Sequence, residues 1–443
     1  MAEREVWGTR IGFILAAVGS AVGLGNIWQF PFKTATFGGA AFLVVYLLAA
    51  VAIGLPAMLA EFVIGRRSNL NVVSAFRGLG YRKWRFVGIV GLVTGFWILS
   101  YYSVVGGWVI RYLFGSLTGA YFGDPAGYFG TISSGTITVV FQALFMAITV
   151  GIVAFGIEDG IEKATKVMVP SIVVLLAGLA VWAATLPGGG EGYRFFLSPD
   201  LSDITENWRD IVPFAVSQAF FSLSLGMGAM ITYSSYLGAD DNLGQDSLSI
   251  VAFNTFVGVL AGLVVFPLLF AQGVEPGEGG AGAVFISLAQ AFSELPAGRL
   301  LGVVFFGVVL IAALSSAISL LEVVTSYVVD NYDVSRPVTA SGLGLVLFLL
   351  GVPSALDIAV FTWFDAVAYG ALLPLSVLLV LVFVGWVLAD EALDELRKGT
   401  NGIPTLGSVW LWTVRVVVLV AVLGTLVLGV QGLAEDPGLL PPV

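Results

Sequence analysis

Two short, glycine-rich stretches interrupt long apolar segments of the chain, and they decide its fold. The first reads Gly19-Ser20-Ala21-Val22-Gly23-Leu24-Gly25-Asn26, and the second reads Phe221-Ser222-Leu223-Ser224-Leu225-Gly226-Met227-Gly228. Each falls near the middle of a segment that can cross a membrane, where backbone outside a helix is tolerated only if it is buried in protein or lines a cavity. Glycine for close helix packing explains one such stretch but poorly explains two matched ones. The pair therefore predicts a central site built from freed carbonyl groups and half-helix ends.

The composition of the chain excludes an ordinary soluble protein. Of its 443 residues, 58% are hydrophobic and 11% are charged, whereas about one quarter of a soluble globular chain is charged. A transmembrane helix needs roughly 20 mostly apolar residues. The apolar segments predict eleven spans within one all-α polytopic membrane domain, residues 1–443. Numbered 1 to 11 in chain order, the spans cover residues 11–35, 40–65, 84–113, 136–156, 165–186, 211–237, 247–272, 299–329, 337–353, 357–388 and 406–432.

The chain contains no cysteine and no histidine. Thiolate nucleophiles, disulfides, zinc sites and imidazole acid/base chemistry are therefore excluded, and we expect the protein not to be an enzyme. The net charge of −10 disfavours nucleic acid as a partner. Acidic loops of this kind stay solvated in high salt, so a salt-loving organism is one candidate source of the chain.

Positively charged residues concentrate in some loops, which identifies the cytoplasmic side of a membrane protein. They lie before span 1 and after spans 2, 4 and 10, whereas the loops at 114–135 and 273–297 contain no Lys or Arg. We therefore expect a multi-pass protein of the plasma membrane, surrounded by lipid, with a cytoplasmic N-terminus. Because the number of spans is odd, the C-terminus should lie outside. The charged loop residues are Arg4, Arg10, Arg66, Arg67, Arg77, Arg82, Lys83, Arg85, Lys163, Lys166, Arg397 and Lys398.

The break in span 6 comes five spans after the break in span 1. Because five is an odd number, the second half of the chain enters the membrane from the opposite side, which predicts an inverted repeat of five plus five spans. Residues 1–205 would form the first repeat with spans 1–5, and residues 206–390 the second with spans 6–10. Residues 391–443 would hold span 11 and the C-terminus.

At these residues the chain resembles the neurotransmitter:sodium symporter family, which has the LeuT-type fold, and in particular its prokaryotic eleven-span amino acid transporters. Inverted repeats with broken helices are a known layout of that fold. As a set, the matching motifs are very specific and cover nearly the whole chain. They are Trp7, Gly12, the run Ala21–Trp28, Phe30-Pro31, Gly38-Gly39, Pro56, Glu61, Gly65-Arg66, Tyr101-Tyr102, Gly160-Ile161-Glu162-Lys163, Gln218 to Tyr236, and Ser315-Ser316 to Asp330.

The resemblance implies sodium-coupled symport with two sodium sites, each made only of oxygen ligands, as a hard cation requires. Two adjacent serines in a membrane helix can also simply bond back to the preceding turn, but the surrounding pattern favours them as ligands. The first site would use the carbonyl of Ala21, the side chains of Asn26 and Asn254, the carbonyl and hydroxyl of Ser222, and the substrate carboxylate. The second would use the carbonyls of Gly19, Val22 and Ala312 and the hydroxyls of Ser315 and Ser316.

The substrate implied by the resemblance carries a carboxylate, which N–H groups of the first break, the Tyr102 hydroxyl and sodium would hold. Relatives that transport monoamines have an aspartate where Gly23 stands. The absence of that aspartate favours an α-amino acid as the substrate. An apolar, adaptable lining predicts a neutral, hydrophobic one, while glycine, GABA and betaine-like molecules stay open. The implied pocket consists of Ala21, Gly23, Gly25, Ile98, Tyr102, Phe221, Ser222, Ser224, Met227, Ser319 and Leu320.

The outer gate departs from the family, which usually has an arginine where Gln29 stands, paired with the acidic residue that Asp365 matches. Lys33 follows Gln29 by four residues and so lies one turn outward on the same helix face. We hypothesise a displaced gate in which Lys33, or water through Gln29, meets Asp365; a lysine exposed in a water-filled vestibule is the alternative. On the inner side, the implied gate residues are Arg4 and Asp330, with Trp7 and Tyr236.

Chloride binding is a further expectation. Relatives that do not need chloride supply a carboxylate near the first sodium, whereas this chain has Asn254 and Gly258 at the two positions of span 7 where one would be expected. Without a fixed anion, a bound chloride would balance the sodium charge. The side chains that would coordinate it are those of Tyr46, Gln218, Ser222 and Asn254.

Ionisable residues inside the spans are costly and are functional candidates. Among them, we expect Glu61 to accept hydrogen bonds from the backbone of the first break, and Glu322 to lie one turn beyond the pocket on span 8. The implied mechanism is alternating access, in which spans 1, 2, 6 and 7 tilt and the sodium gradient drives uptake. An ion channel lined by broken helices is the rival interpretation.

Overall fold

The computed structural model describes residues 7–238, 240–273, 282–399 and 404–435. Within these ranges the chain is helical and forms no strand, so the predicted all-α class is confirmed. Nine helices of the described part are long and apolar enough to cross a membrane, and the pair Arg10–Ala21 and Gly25–Thr36, bent by 45°, makes a tenth span. Span 6 is divided into helices of 15 and 6 residues. The prediction of eleven spans is consistent with this arrangement.

The helices lie within a few residues of the predicted spans, apart from the start of span 5. They are Ala40–Ser68 for span 2, Arg82–Thr118 for span 3, Thr136–Ala154 for span 4, Ile157–Ala183 for span 5, Trp208–Ser222 and Ala229–Ser234 for span 6, Leu243–Ala271 for span 7, Gly298–Asn331 for span 8, Arg336–Leu356 for span 9, Ile358–Val387 for span 10 and Gly407–Glu435 for span 11. Shorter helices outside the spans are Ala75–Gly78, Pro125–Ile132, Gly190–Leu197, Leu201–Glu206, Ala283–Glu294 and Ala389–Arg397.

Span 5 begins at Ile157 rather than at the expected residue 165. The expectation excluded the charged run that follows Ile157, because charges are costly in a membrane helix. In the structure these charges pair along the helix: Lys163 lies 2.5 Å from Asp159, and Lys166 lies 2.7 Å from Glu162. Pairs of opposite charge four residues apart stabilise a helix, so the helix extends through the run.

Both breaks leave helical geometry for local reasons. After Ala21, Val22 is extended with φ −81° and ψ 97°, and the helix resumes at Gly25. In the second break, Gly226 and Gly228 are left-handed, with φ of 76° and 77°. Glycine reaches this conformation without steric cost. A residue with a side chain would be strained at these two positions, so they need glycine.

The two breaks lie beside each other, between spans 3 and 8. Spans 3 and 8 pack along one another, and spans 4 and 9 pack against span 3. Span 1 contacts spans 5 and 8, while the second half of span 6 contacts span 2. Span 11 packs on span 10 and on the first half of span 6. All residues of both glycine-rich stretches are buried, as backbone outside a helix requires in a membrane.

The helix Ala389–Arg397, which follows span 10, is fastened to the end of span 2 by a buried ion pair. Arg66 lies 2.7 Å from Glu395, and Lys398 lies 2.7 Å from the same carboxylate. Burial alone would raise the pKa of Glu395, but hydrogen bonds from Lys398 and Arg66 hold it below its ordinary value. The pair therefore stabilises the fold above the ordinary carboxyl pKa, and this stabilisation is lost as the pH falls through the lowered value.

Candidate functional site

A small cavity lies where the two breaks meet spans 3 and 8. It brings together the residues that the sequence predicts for the substrate pocket, except Ser222 and Ser319. Ser20 and Ser316 also line it, which the sequence reasoning missed. The position of Ser20 inside the first glycine-rich stretch, where carbonyls are freed, could have revealed it. The lining residues are Ser20, Ala21, Gly23, Gly25, Ile98, Tyr102, Phe221, Ser224, Met227, Ser316 and Leu320.

Three serines, Ser20, Ser224 and Ser316, form one wall of this cavity, and a fourth supports it. The Ser20 carbonyl accepts hydrogen bonds from the hydroxyls of Ser224 at 2.8 Å and Ser316 at 2.9 Å. The Ser20 hydroxyl donates to that of Ser319 at 2.8 Å, and the Ser319 hydroxyl donates to the Ser316 carbonyl at 2.7 Å. Ser319 therefore stands behind the wall and supports it, and the freed carbonyl of Ser20 has two partners.

The polar end of the cavity can hold a carboxylate. The N–H group of Leu24 donates to the hydroxyl oxygen of Tyr102 at 3.2 Å. A hydroxyl that accepts in this way keeps its proton as a donor. The helix Gly25–Thr36 also directs its positive N-terminal end at the same place. The opposite end is apolar, because Ile98, Met227 and Leu320 line it.

Oxygen atoms from both breaks and from span 7 converge beside the cavity. The amide nitrogen of Asn26 donates to the side-chain oxygen of Asn254 at 2.9 Å. In that orientation the Asn254 oxygen faces the carbonyls of Ala21 and Ser222 at 3.1 and 3.0 Å; with the amide turned over, its nitrogen donates to both. The turned amide pairs both carbonyls without an ion, whereas in the first orientation the three oxygens repel one another unless a cation lies between them. The donor set is one that a hard cation such as sodium prefers.

A second group of oxygens joins the first break to span 8. The Ser315 hydroxyl lies 3.2 Å from the Val22 carbonyl and 2.9 Å from the Ala312 carbonyl. A β-carbon at Gly19 would lie 3.5 Å from the Ser315 β-carbon, so this glycine packs beside them. Ser316, the remaining residue of the predicted second sodium site, directs its hydroxyl at the cavity wall.

The expectation that Glu61 supports the first break is wrong. Its Oε1 accepts a hydrogen bond from the N–H group of Gly226, in the second break, at 2.7 Å. The first break is supported by Gln218, whose Nε2 donates to the Gly25 carbonyl at 2.8 Å and whose Oε1 accepts from Tyr369 at 2.9 Å. Both breaks free N–H groups, so the sequence alone does not say which of them a carboxylate on span 2 meets.

The side chains predicted to coordinate chloride divide into two groups. The hydroxyl of Tyr46 lies 3.1 Å from that of Ser222, and the amide nitrogen of Asn254 donates to the same Ser222 hydroxyl at 3.4 Å. These three are neighbours beside the first group of oxygens. Gln218, the fourth, uses its amide nitrogen for the carbonyl of Gly25.

On the predicted outer side, aromatic rings cover the cavity. The rings of Phe221 and Tyr369 lie 5.1 Å apart. The ammonium nitrogen of Lys33 lies 4.8 Å from the ring centre of Phe214 and 5.8 Å from that of Tyr369. Among the described residues, no ion pair joins Lys33 to Asp365, and Asp365 Oδ1 has no hydrogen-bond partner. The hypothesised contact between Lys33 and Asp365 is therefore not made in this conformation.

On the opposite side, hydrogen bonds join the start of span 1 to other spans. The indole N–H of Trp7 donates to the Tyr233 carbonyl at 3.0 Å, and its ring lies edge-on to Tyr236 at 6.0 Å. The hydroxyl of Tyr236 donates to Glu322 at 2.9 Å, and Arg336 donates to the same carboxylate at 2.6 Å. The start of span 1 is thereby linked through span 6 to spans 8 and 9.

Of the predicted inner pair, Arg4 lies outside the described residues, and Asp330 accepts a hydrogen bond from Asn71 at 2.9 Å. The beginning of span 1 is also held by Glu162 of span 5, which accepts from the N–H group of Gly8 at 2.9 Å. The sequence reasoning missed this contact, although Glu162 belongs to one of the quoted motifs.

The comparisons with known proteins agree with one another. The model of the sodium:neurotransmitter symporter family matches residues 4–122 and 130–434. The chain is 35% identical over 435 residues to YhdH of Bacillus subtilis (strain 168), named as an uncharacterized sodium-dependent transporter, with 94% of this chain and 96% of that protein aligned. An uncharacterized sodium-dependent transporter of Haemophilus influenzae is also 35% identical, with 95% and 97% aligned. The crystal structure of MhsT in complex with L-phenylalanine matches with a TM-score of 0.88 and 41% identity, covering 96% of this chain and 100% of that one.

These matches define a multi-pass membrane transporter with the LeuT-type fold. The chain belongs to the sodium:neurotransmitter symporter family, and its activity is sodium-coupled transport. The resemblance drawn from the motifs is confirmed, and so is the prediction that the protein is not an enzyme.

Replacing Asn26 by alanine should weaken the stabilisation that sodium gives the protein, because it removes an amide from the first group of oxygens. A ligand at about 100 times its Kd raises the free energy of unfolding by about 2.7 kcal/mol. The measurement is the melting temperature of the purified protein in NaCl and in KCl. The control is Gln142→Leu, which changes a buried amide of span 4 that donates to Ser103 of span 3. This variant should keep the rise in melting temperature that sodium causes. A rise in melting temperature with sodium that is as large in Asn26→Ala as in the wild type would contradict the prediction that this group of oxygens binds sodium.

Proposed function

We propose that the protein takes up a neutral, hydrophobic α-amino acid together with two sodium ions, across the plasma membrane, by alternating access. The cavity carries this proposal, because hydroxyl and freed backbone groups line one end and apolar side chains the other. Phe221 and Tyr369 cover it on one side, and Trp7 on the other. An ion channel needs a continuous pore, whereas a cavity covered on both sides suits a substrate that is held and then released.

An α-amino acid fits the chemistry of this cavity. The Tyr102 hydroxyl and the N–H groups of the first break suit a carboxylate, and carbonyls freed by the two breaks suit an ammonium group. Ile98, Met227 and Leu320 suit an apolar side chain. The complex of MhsT with L-phenylalanine, at 41% identity, supports this substrate class. Glycine, GABA and betaine-like molecules are the alternative, but they would leave the apolar end unfilled.

In this proposal, sodium is cargo whose binding couples to that of the substrate. The first sodium would contact the substrate carboxylate, so each lowers the electrostatic cost of binding the other. The second would join span 1 to span 8 and so favour the conformation in which the two spans are together. The proposed ligands are Ala21, Asn26, Ser222 and Asn254 for the first ion, and Gly19, Val22, Ala312, Ser315 and Ser316 for the second.

We also propose a cytoplasmic N-terminus and an outer C-terminus, because the Lys- and Arg-rich loops then lie inside the cell. The matching breaks in spans 1 and 6 support inverted repeats at residues 1–205 and 206–390. Residues 391–443, with span 11, lie outside the repeats in this division.

For the outer gate, we propose that Lys33 turns toward Asp365 in another conformation of the transport cycle. Lys33 is partly buried, and a desolvated lysine over aromatic rings is held by about 2 kcal/mol or more, which pairing with Asp365 would offset. Gln29 is buried, and its Oε1 has no hydrogen-bond partner among the described residues. It can therefore accept a hydrogen bond from a water that bridges Lys33 and Asp365.

A binding screen tests the proposed function. Purified protein is offered each of the standard amino acids in a scintillation-proximity assay, in sodium and then in potassium. We expect sodium-dependent binding of an apolar amino acid, weakened about 10- to 100-fold in Tyr102→Phe, because a hydrogen bond to a charged group is worth roughly 1.5–3 kcal/mol. Tyr112→Phe is the matched control, because Tyr112 is a buried tyrosine of the same span outside the lining, and its hydroxyl has no hydrogen-bond partner among the described residues. No sodium-dependent binding of any amino acid would overturn the proposal.

A charge exchange tests the outer gate. Lys33→Asp and Asp365→Lys should each lower uptake, because each leaves two like charges near one another, and the double variant should restore it because the pair is re-formed. Uptake of the labelled amino acid into proteoliposomes is the measurement, and equal incorporation of all variants is the control. If the double variant is no more active than either single one, the displaced gate is wrong.

We further propose that chloride occupies the place beside Tyr46, Ser222 and Asn254. Replacing chloride by gluconate should then lower uptake. A β-carbon at Gly258 would lie 3.6 Å from Asn26 Nδ2 and 4.0 Å from the Tyr46 hydroxyl, so there is room for a side chain. Gly258→Asp should remove the chloride requirement by supplying a fixed negative charge, with Gly258→Asn as the neutral control. Uptake by the wild type that is equal in gluconate would contradict the proposal.

A further inference from the structure

Gly95 of span 3 lies behind the apolar end of the cavity and does not line it. A β-carbon at this position would lie 2.7 Å from the carbonyl oxygen of Met227, 3.6 Å from the Met227 β-carbon and 3.5 Å from a methyl group of Leu320. Even close carbon–oxygen contacts in proteins are about 3.3 Å or longer. The backbone of the second break therefore occupies the space that a side chain at residue 95 would need.

The neighbours of Gly95 decide what crowding here would do. Met227 and Leu320 both line the cavity, so they stand between Gly95 and the substrate space. The closest atom is a backbone oxygen rather than the end of a flexible side chain, and Met227 is flanked by Gly226 and Gly228, whose left-handed conformations shape the break. A methyl group at residue 95 would therefore displace the break away from span 3, which carries Met227 into the cavity, while Leu320 of span 8 keeps an ordinary contact of 3.5 Å.

We infer that Gly95 sets the upper size limit of the amino acid side chain that the transporter accepts. The absence of a side chain at this position lets the backbone at Met227 draw back against span 3, and this leaves space at the apolar end. Gly95 is a positioning residue, because it acts through the backbone at Met227 and does not contact the substrate. The inference rests on the proposed function and adds to it the element that selects among apolar amino acids.

Gly91 provides a matched control on the same helix. It lies four residues earlier on span 3 and is also buried. A β-carbon there would come no closer than 3.5 Å to Ser376 Oγ and 3.6 Å to the backbone nitrogen of Gly228, which are ordinary contacts. Both glycine-to-alanine changes raise helix propensity by the same amount. A difference between them therefore reports the crowding at Gly95.

The test measures how affinity depends on side-chain size. Wild type, Gly91→Ala and Gly95→Ala bind, in sodium, a series of L-amino acids from alanine through valine, leucine and phenylalanine to tryptophan. In Gly95→Ala, the best-bound side chain should become smaller, and the affinity for the largest wild-type substrate should fall at least about tenfold, the scale of overpacking at a buried site. Gly91→Ala should stay within about twofold of wild type for every member. A merely destabilised protein would lose binding capacity for all members without changing their order.

The double variant Gly95→Ala/Met227→Ala completes the test, and it replaces the single variant if Gly95→Ala alone does not fold. Truncating Met227 returns space to the cavity, so binding of the larger side chains should recover. An unchanged size order in folded Gly95→Ala, or a double variant that still favours small side chains, would overturn the inference while leaving the proposed function intact. Wild-type protein that binds no amino acid in sodium would overturn the proposed function and the inference with it.

Discussion

The structure depends on how backbone groups are paired where two helices stop in the middle of a membrane. An unpaired polar group there costs about 2–7 kcal/mol, and no water is at hand to relieve it. The fold places the two breaks side by side, so that the Ser224 hydroxyl of the second break donates a hydrogen bond to the Ser20 carbonyl of the first. Gln218 donates to the Gly25 carbonyl, and Glu61 reaches the second break from span 2. The site exists because these requirements are met at one place.

The same requirement explains why the site suits cations and zwitterions. Side chains pair some of the freed groups, and the carbonyls of Ala21 and Ser222 lie within 3.1 Å of the Asn254 amide, which can turn either its nitrogen or its oxygen toward them. An ion that binds them stabilises the folded arrangement as well, because ligand binding and folding are linked. The donors come from spans 1, 6 and 7, so an ion at this point draws three elements together. If sodium binds there as proposed, ion binding and the position of the helices are one equilibrium.

The two covers of the cavity differ in physical character. The side with Trp7 is held by hydrogen bonds to a carboxylate, where Tyr236 and Arg336 meet Glu322, and such bonds are worth roughly 1.5–3 kcal/mol each. The side with Phe221 is held by aromatic contacts, worth about 0.5–1.5 kcal/mol beyond their burial. In this conformation the aromatic cover is the weaker of the two. In the proposed orientation, the side with Phe221 faces outward, so the asymmetry would favour exchange of substrate there.

The sequence by itself determined the class, the spans and the two breaks, because membrane insertion is read from local length and hydropathy and a break is read from local glycine. Motif resemblance extended this to the cavity lining, including Tyr102. Only the tertiary structure decided that Glu61 accepts a hydrogen bond from the second break rather than the first. It also decided that the Ser316 hydroxyl points at the cavity wall, and that the backbone of Met227 packs against Gly95. These are contacts between spans far apart in the chain, and they depend on where each helix face points after packing, which no local pattern encodes.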